Sequence, residues 1–246
     1  MELLCDLLFE ISSGERMNIM LILREQRLRL SHIAQRLDMT VTEASRHLQR
    51  LSDSLLVSKD TEGLYGVTSF GELALSQLSG LEFASENRQY FLEHDTSLLP
   101  HEFRNRIGEL SNCEFDSDTV RVFDHARKLL LSAEDYIWIQ SYQHLLWNQQ
   151  IVIEKIKDGV DFRFILPENT TPPPEYEPDP TMIKATRTLE RVASRILITE
   201  EEASLSLPNS DGRIDYAAFI SRDPVFLKWC GDLFLFGWER AKPKVL

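Results

Sequence analysis

The sequence predicts two domains of different class: an α+β N-terminal domain of short helices closed by a hairpin, then an α/β C-terminal domain. Three observations predict this. The chain of 246 residues exceeds one average domain of roughly 150. Its first third holds apolar runs at helical spacing that end in two short strand-like runs, whereas the remainder alternates strand-like and helix-like runs. Six of the ten prolines crowd into residues 167–180, and that stretch must be a loop because proline cannot continue a helix or a central strand.

The N-terminal elements follow in order. Residues 3–11 are apolar at helical spacing, and Ser12-Ser13-Gly14 breaks the run and offers a cap. Residues 16–26 form a second helix with Ile19, Met20, Ile22 and Leu23 on its apolar side. Residues 31–37 form a third, short helix with Ser31 as N-cap, burying Ile33, Ala34 and Leu37, and Asp38-Met39 makes the turn. Thr40 and Glu43 then stand as N-cap and N3 of a capping box. From there Val41, Ala44, Leu48, Leu51 and Leu55 predict one apolar stripe along a helix of about residues 41–54. Runs at 56–59 and 64–68, joined by Asp60-Thr61-Glu62-Gly63, predict a hairpin, and a helix over 70–93 completes the section. The domain boundaries read as 1–75, a linker or dimerisation helix at 76–94, and 95–246.

Helix, helix, short helix, turn, amphipathic helix and hairpin is the order of a winged helix-turn-helix, which lays one helix in the major groove of DNA while the hairpin touches the backbone. Opposite the stripe project Thr42, Arg46, Gln49, Arg50 and Asp53, with Ser45 and His47 flanking them. Arg46 suits a bidentate bond to guanine, Gln49 to adenine, and Thr42 a base edge or a thymine methyl. Arg36, Arg50 and Lys59, the last in the wing at 56–68, suit phosphates, which fix register without reading sequence. An amphipathic helix with arginines outside is in most proteins a solvated face. Here, however, residues 24–50 carry six arginines against three acids inside a chain of net charge −12. Glu43 and Asp53 oppose phosphate contact.

The run Leu30-Ser31-His32-Ile33-Ala34-Gln35-Arg36-Leu37-Asp38-Met39-Thr40, with Ala44-Ser45-Arg46-His47-Leu48-Gln49-Arg50-Leu51 and the Leu56-Val57 step, resembles the ArsR-like winged-helix regulators over residues 14–75. The clustered cysteines of that group's metal sensors have no counterpart here, so metal sensing does not carry over. The whole chain resembles archaeal regulators that join such a head to a methanogenesis-regulatory-protein middle domain. Its landmarks are Phe115-Asp116-Ser117-Asp118, Tyr136-Ile137-Trp138-Ile139, Asp161-Phe162-Arg163-Phe164-Ile165-Leu166-Pro167 and Leu233-Phe234-Leu235-Phe236-Gly237-Trp238. The resemblance implies an archaeal transcription regulator whose second domain senses a signal and supports dimerisation.

In the second domain, helices are predicted at 115–132, 145–157 and 181–194, and strands at 136–142, 160–166 and 195–199. Residues 202–207 and 214–221 predict an antiparallel pair, and Asp223-Pro224 starts the last helix as N-cap and N1. Strands alternating with helices imply a layered domain with parallel pairing, related by analogy to phospholipase D-like domains. That chemistry needs a His-x-Lys pair. The nearest approach is His125-Ala126-Arg127, so the domain reads as catalytically inactive. No nucleotide-binding glycine loop, nucleophile elbow or metal-ligand spacing occurs, and neither a cofactor nor a metal is predicted. Ligands in open α/β sheets sit beyond the carboxyl ends of parallel strands. This places a candidate effector pocket at Gln140, Ser141, Tyr142 and Trp147.

The acidic balance argues against coating of nucleic acid or of anionic membranes by the chain as a whole. Cys5, Cys113 and Cys230 lie far apart, which fits reduced thiols in a cytoplasm, and no membrane partner is expected. The expectation is a homodimer on a palindromic double-stranded operator, with Leu73, Leu78, Leu81 and Phe91 as dimer residues and a small-molecule or protein effector. Two alternatives stay open: a winged-helix protein-interaction module that binds no DNA, and a degenerate phosphodiesterase.

Overall fold

The computed structural model describes the chain except residues 145–147, 178, 212–214 and 245–246. It forms two compact units, Met1–Leu78 and Ser79–Leu246.

The first unit begins with α1 (Glu2–Ile11) and α2 (Gly14–Glu25), followed by β1 (Leu28–Arg29), α3 (Leu30–Arg36) and α4 (Val41–Asp53). A hairpin of β2 (Val57–Lys59) and β3 (Leu64–Val67) leads into α5 (Ser69–Glu86), inside which the division between the units falls. Ser13 caps α2 by accepting from the Arg16 N–H. Ile19, Met20, Leu23, Ile33, Leu48, Leu51 and Leu56 pack into one core, each worth about 1.5–3 kcal/mol of burial. The C-terminal ends of α3 and α4 are each closed by a Schellman turn. The Met39 N–H bonds the Ala34 carbonyl with Asp38 left-handed at φ 51°, and the Leu56 N–H bonds the Leu51 carbonyl with Leu55 at φ 61°.

Several local expectations change here. Leu30 opens α3, so Ser31 is not its cap; Arg29 holds the N-cap place with no side-chain bond. The stripe of α4 narrows to Ala44, Leu48 and Leu51, while Val41 is exposed at the helix start and Leu55 is turned out by its left-handed backbone. The predicted 70–93 helix is two helices, because after α5 the Asn87 amide bonds back to the Phe83 carbonyl and α6 (Arg88–Glu93) starts afresh. β1 joins the hairpin as a third strand, pairing antiparallel with β3.

The second unit continues through α7 (His101–Asn105) and a 3-10 turn (Ile107–Leu110), then β4 (Glu114–Asp116), α8 (Thr119–Ser132), β5 (Tyr136–Gln140), α9 (Gln149–Lys157) and β6 (Asp161–Pro167). After the proline loop come α10 (Pro180–Lys184), β7 (Thr186–Leu189), β8 (Arg195–Ile198), β9 (Ala203–Ser206), β10 (Ala218–Ser221), α11 (Pro224–Arg240) and β11 (Lys242–Pro243). Eight strands form one sheet in the order β11-β7-β6-β5-β8-β9-β10-β4. Strand alternation sends Ile137, Ile139, Phe164 and Leu197 to a core with α8 and α9. Ile196, Ile198 and Leu205 face a second core with Phe226, Trp229 and Leu233 of α11. Asp223 caps α11 with Pro224 in its first turn.

Three expectations need correction in this unit. The sheet is mixed: only β5, β6 and β7 pair in parallel, and β8, β9, β10, β4 and β11 pair antiparallel. Phe115 and Asp116 belong to edge strand β4 against β10, so the helix begins only at Thr119, capped by Asp118. The 181–194 helix shrinks to α10, because Thr186–Leu189 is drawn into the sheet beside β6. No helix among the described residues is long and apolar enough to cross a membrane.

Candidate nucleic-acid interface and effector cavity

In the first unit, α4 starts on a complete capping box, with the Thr40 hydroxyl accepting from the Glu43 N–H and the Glu43 carboxylate accepting from the Thr40 N–H at 2.9 Å. The Thr40 hydroxyl also donates to the Glu43 carboxylate at 2.7 Å, and that bond first, then the one from the Thr40 N–H, holds the Glu43 carboxyl below its ordinary range. Glu43 is therefore spent on the helix start. With Ala44, Leu48 and Leu51 buried, Thr42, Ser45, Arg46 and Gln49 are all exposed on the other side.

The charged residues differ in freedom. Arg46 makes no ion pair among the described residues. Gln49 donates to the Asp53 carboxylate one turn on, at 2.7 Å. Arg50 is held by two hydrogen bonds to Glu10, at 2.6 and 3.0 Å, and lies over the Phe9 ring. Arg36 pairs with Glu25 at 2.9 Å. Exposed Lys59 lies over the Tyr65 ring at 5.4 Å. Arg24 and Arg27 are likewise paired, with Glu72 and Asp60. Of the six arginines in 24–50, four are neutralised by neighbours within this unit. His47 is half-buried, and burial first, then Arg46, pushes its imidazole below the ordinary 6.5.

Sequence reasoning missed Arg16. Its guanidinium is buried and donates to the Phe9 and Glu10 carbonyls, closing the C-terminal end of α1, and it pairs with the Glu10 carboxylate at 3.2 Å. Glu10 thus joins Arg16 to Arg50. Hydrogen bonding from Arg50, the largest cause, and the charge of Arg16 lower the Glu10 carboxyl, against the opposing effect of burial. An arginine opening an amphipathic helix was the only signal for this contact.

Of the expected dimer residues, Leu73 and Leu81 are exposed, but Leu78 packs against the first unit's core and Phe91 against the second's.

In the second unit, the expected pocket residues separate. Ser141 lines a cavity beneath α8, together with Phe123, Gln143, His144, Arg195 and Tyr216. Gln140 is buried and donates its amide to the Ser194 carbonyl and hydroxyl, so it braces the strand end. Tyr142 packs with Ile165, Val192 and Phe234, its hydroxyl buried without a partner among the described residues. Trp147 lies outside the described residues.

His125 and Arg127 sit two residues apart on α8 and so face different sides. His125 meets the buried Glu202 carboxylate, which also accepts from Arg222 at 2.8 Å. Among the described residues, no three His, Cys, Asp or Glu side chains converge as a metal site would require.

No protein-family model matches the chain, and no curated protein matches it. Among solved structures, the chain is similar to TrmBL2, described as an archaeal chromatin protein with a novel mode of DNA binding, at 14% identity and a TM-score of 0.45 over 89% of this chain and 88% of that one. It is also similar to Nuc, a phospholipase D family member from Salmonella typhimurium, at 12% identity and a TM-score of 0.40 over 50% of this chain and 91% of that one. A third similarity is to NucT from Helicobacter pylori, at 10% identity and a TM-score of 0.41 over 53% of this chain and 100% of that one.

Proposed function

We propose that the protein is a dimeric, sequence-specific DNA-binding transcription regulator of the ArsR-like winged helix-turn-helix kind. In this reading α4 enters the major groove, with Arg46, Thr42, Ser45 and Gln49 toward base edges, and the β2–β3 wing brings Lys59 to the backbone. The second unit, a catalytically inactive phospholipase D-like domain, receives the effector. The observation that carries the reading is the exposed polar side of α4, where Arg46 has no ion-pair partner among the described residues while the helix's other side is anchored in the core. Leu73 and Leu81, exposed on α5, favour self-association.

Selection of bound fragments from a random-DNA pool, followed by binding across a salt series, tests this. A recovered inverted repeat and affinity falling steeply with ionic strength are expected. Recovery of no sequence preference would remove the regulator reading. One observation favours a protein-docking module instead: the internal pairing of Arg24, Arg27, Arg36 and Arg50 lowers the positive charge left for phosphates. Salt-insensitive retention of a partner protein, without DNA binding, is its mark.

A further inference from the structure

Arg195 opens β8 near the middle of the eight-stranded sheet, between β5 and β9. Its side chain shares a face with Leu197, toward α8, and it reaches the cavity that Ser141 and Tyr216 also line. Its Nη1 is inaccessible to solvent and has no hydrogen-bond partner among the described residues. The residues lining the cavity include no aspartate or glutamate among those described. Aromatic rings flank it instead: the guanidinium carbon stands 5.5 Å from the Tyr216 ring centroid and 5.8 Å from that of Phe123.

A second unsatisfied group stands beside it. Ser206 of β9 is the direct cross-strand neighbour of Arg195, so the two side chains share a face. The Ser206 hydroxyl is also buried without a partner among the described residues. Burying one polar group unpaired is unfavourable, and burying a guanidinium without an anion is more so. Burial correspondingly lowers the Arg195 pKa below its ordinary range.

The geometry points to a small oxyanion, a phosphate or carboxylate group, bound in this cavity by Arg195, with Ser141 in the same lining and Ser206 of β9 next to Arg195. A guanidinium presents two parallel N–H donors that match either group, and a hydroxyl can add a third. The cavity volume of about 50 Å³ is far below the roughly 300–1,000 Å³ of sites for drug-sized molecules, so an ion or the charged head of a larger ligand fits. Phe123 and Asn148 line both this cavity and a wider groove of about 390 Å³, bordered by Val120, Asp124 and Arg127. That groove offers an entry and room for an apolar remainder. His144, which burial first and Lys244 second push down to about 4, is neutral at pH 7 and does not compete for the anion. The site deepens the effector reading and rests on it only for its regulatory consequence, since anion binding is measured with no DNA present.

Thermal unfolding and calorimetry of the full chain test it, with inorganic phosphate, acetate and benzoate each set against chloride at equal ionic strength. At least one oxyanion raises Tm saturably by about 3 °C or more, as a ligand well above its Kd should for a chain of this size. Phosphate alone acting identifies a phosphate-bearing ligand, and acetate or benzoate alone a carboxylate. Arg195→Met abolishes the shift, yet in chloride melts no lower than the wild type, because it removes an unpaired buried cation. Arg195→Lys keeps the charge without the planar fork and binds at least about tenfold more weakly. The assignment is overturned if no oxyanion exceeds chloride, if Arg195→Met keeps the shift, or if Arg195→Lys binds as tightly as the wild type.

Discussion

In the N-terminal unit Arg24, Arg27, Arg36 and Arg50 stand at or near the surface and each meets a carboxylate, whereas in the C-terminal unit Arg195 is turned inward and meets none among the described residues. Water would solvate the first group without help, and surface pairs of this kind contribute little to stability. What they do is tie helix to helix: Glu10 of α1 to Arg50 of α4, and Glu25 of α2 to Arg36 of α3. The pairing uses up most of the positive strip and leaves Arg46 as the guanidinium on α4's exposed side with no ion pair among the described residues. An inward-turned arginine carries the opposite lesson, because among the described residues its ion contacts are replaced by the Phe123 and Tyr216 rings, with no carboxylate in the cavity lining.

The largest expected effect comes from breaking the pairing at its buried end. Glu10→Ala leaves Arg16 enclosed with only backbone carbonyls to satisfy it, and should lower unfolding free energy by about 3 kcal/mol in urea titration. Next, Arg46→Ala should weaken binding to the selected DNA by about 1–3 kcal/mol and relax preference at one base position, while Arg50→Ala, already tied to Glu10, changes affinity less. Equal losses in the two variants would sink the distinction between paired and free arginines.

A pH series sharpens the same contrast. The Glu10 carboxyl titrates below its ordinary 4.5, chiefly through its hydrogen bonds from Arg50. Its ionised form therefore contributes stability that is full above about pH 4.5 and is lost as pH falls through the lowered value. Urea midpoints should drop on acidification in the wild type and drop less steeply in Glu10→Gln. The smallest effect belongs to Glu25→Gln, which frees exposed Arg36. DNA affinity should rise less than about fivefold, with a salt dependence steeper by about one phosphate contact. An unchanged salt slope would show that Arg36 stays clear of the backbone.

The elements that satisfy themselves locally were legible in the sequence. Thr40 and Glu43 cap a helix start whatever follows, Asp223 and Pro224 start α11, and the 3-4 spacing of Ala44, Leu48 and Leu51 selects the buried side of α4. Phe115 and Thr186 were misread as helical because their strands exist only by pairing with β10 and β6, brought alongside by the fold. The site follows the same division. That Thr42, Ser45, Arg46 and Gln49 share one side of a helix follows from 3.6 residues per turn. That Arg50 belongs to Glu10, forty residues earlier, does not.

From sequence alone came the two-part composition, the α4 amphipathicity, the proline loop and the candidate base-reading side chains, since each depends on neighbours a few bonds away. Tertiary structure alone decided which arginines are spent on carboxylates, that the sheet is mixed, that Arg195 reaches a cavity beneath α8, and that Ser206 is its cross-strand neighbour. Periodicity tells which way a side chain points along its own element; what it meets there is set by strands and helices distant in the chain, through packing that no local pattern encodes.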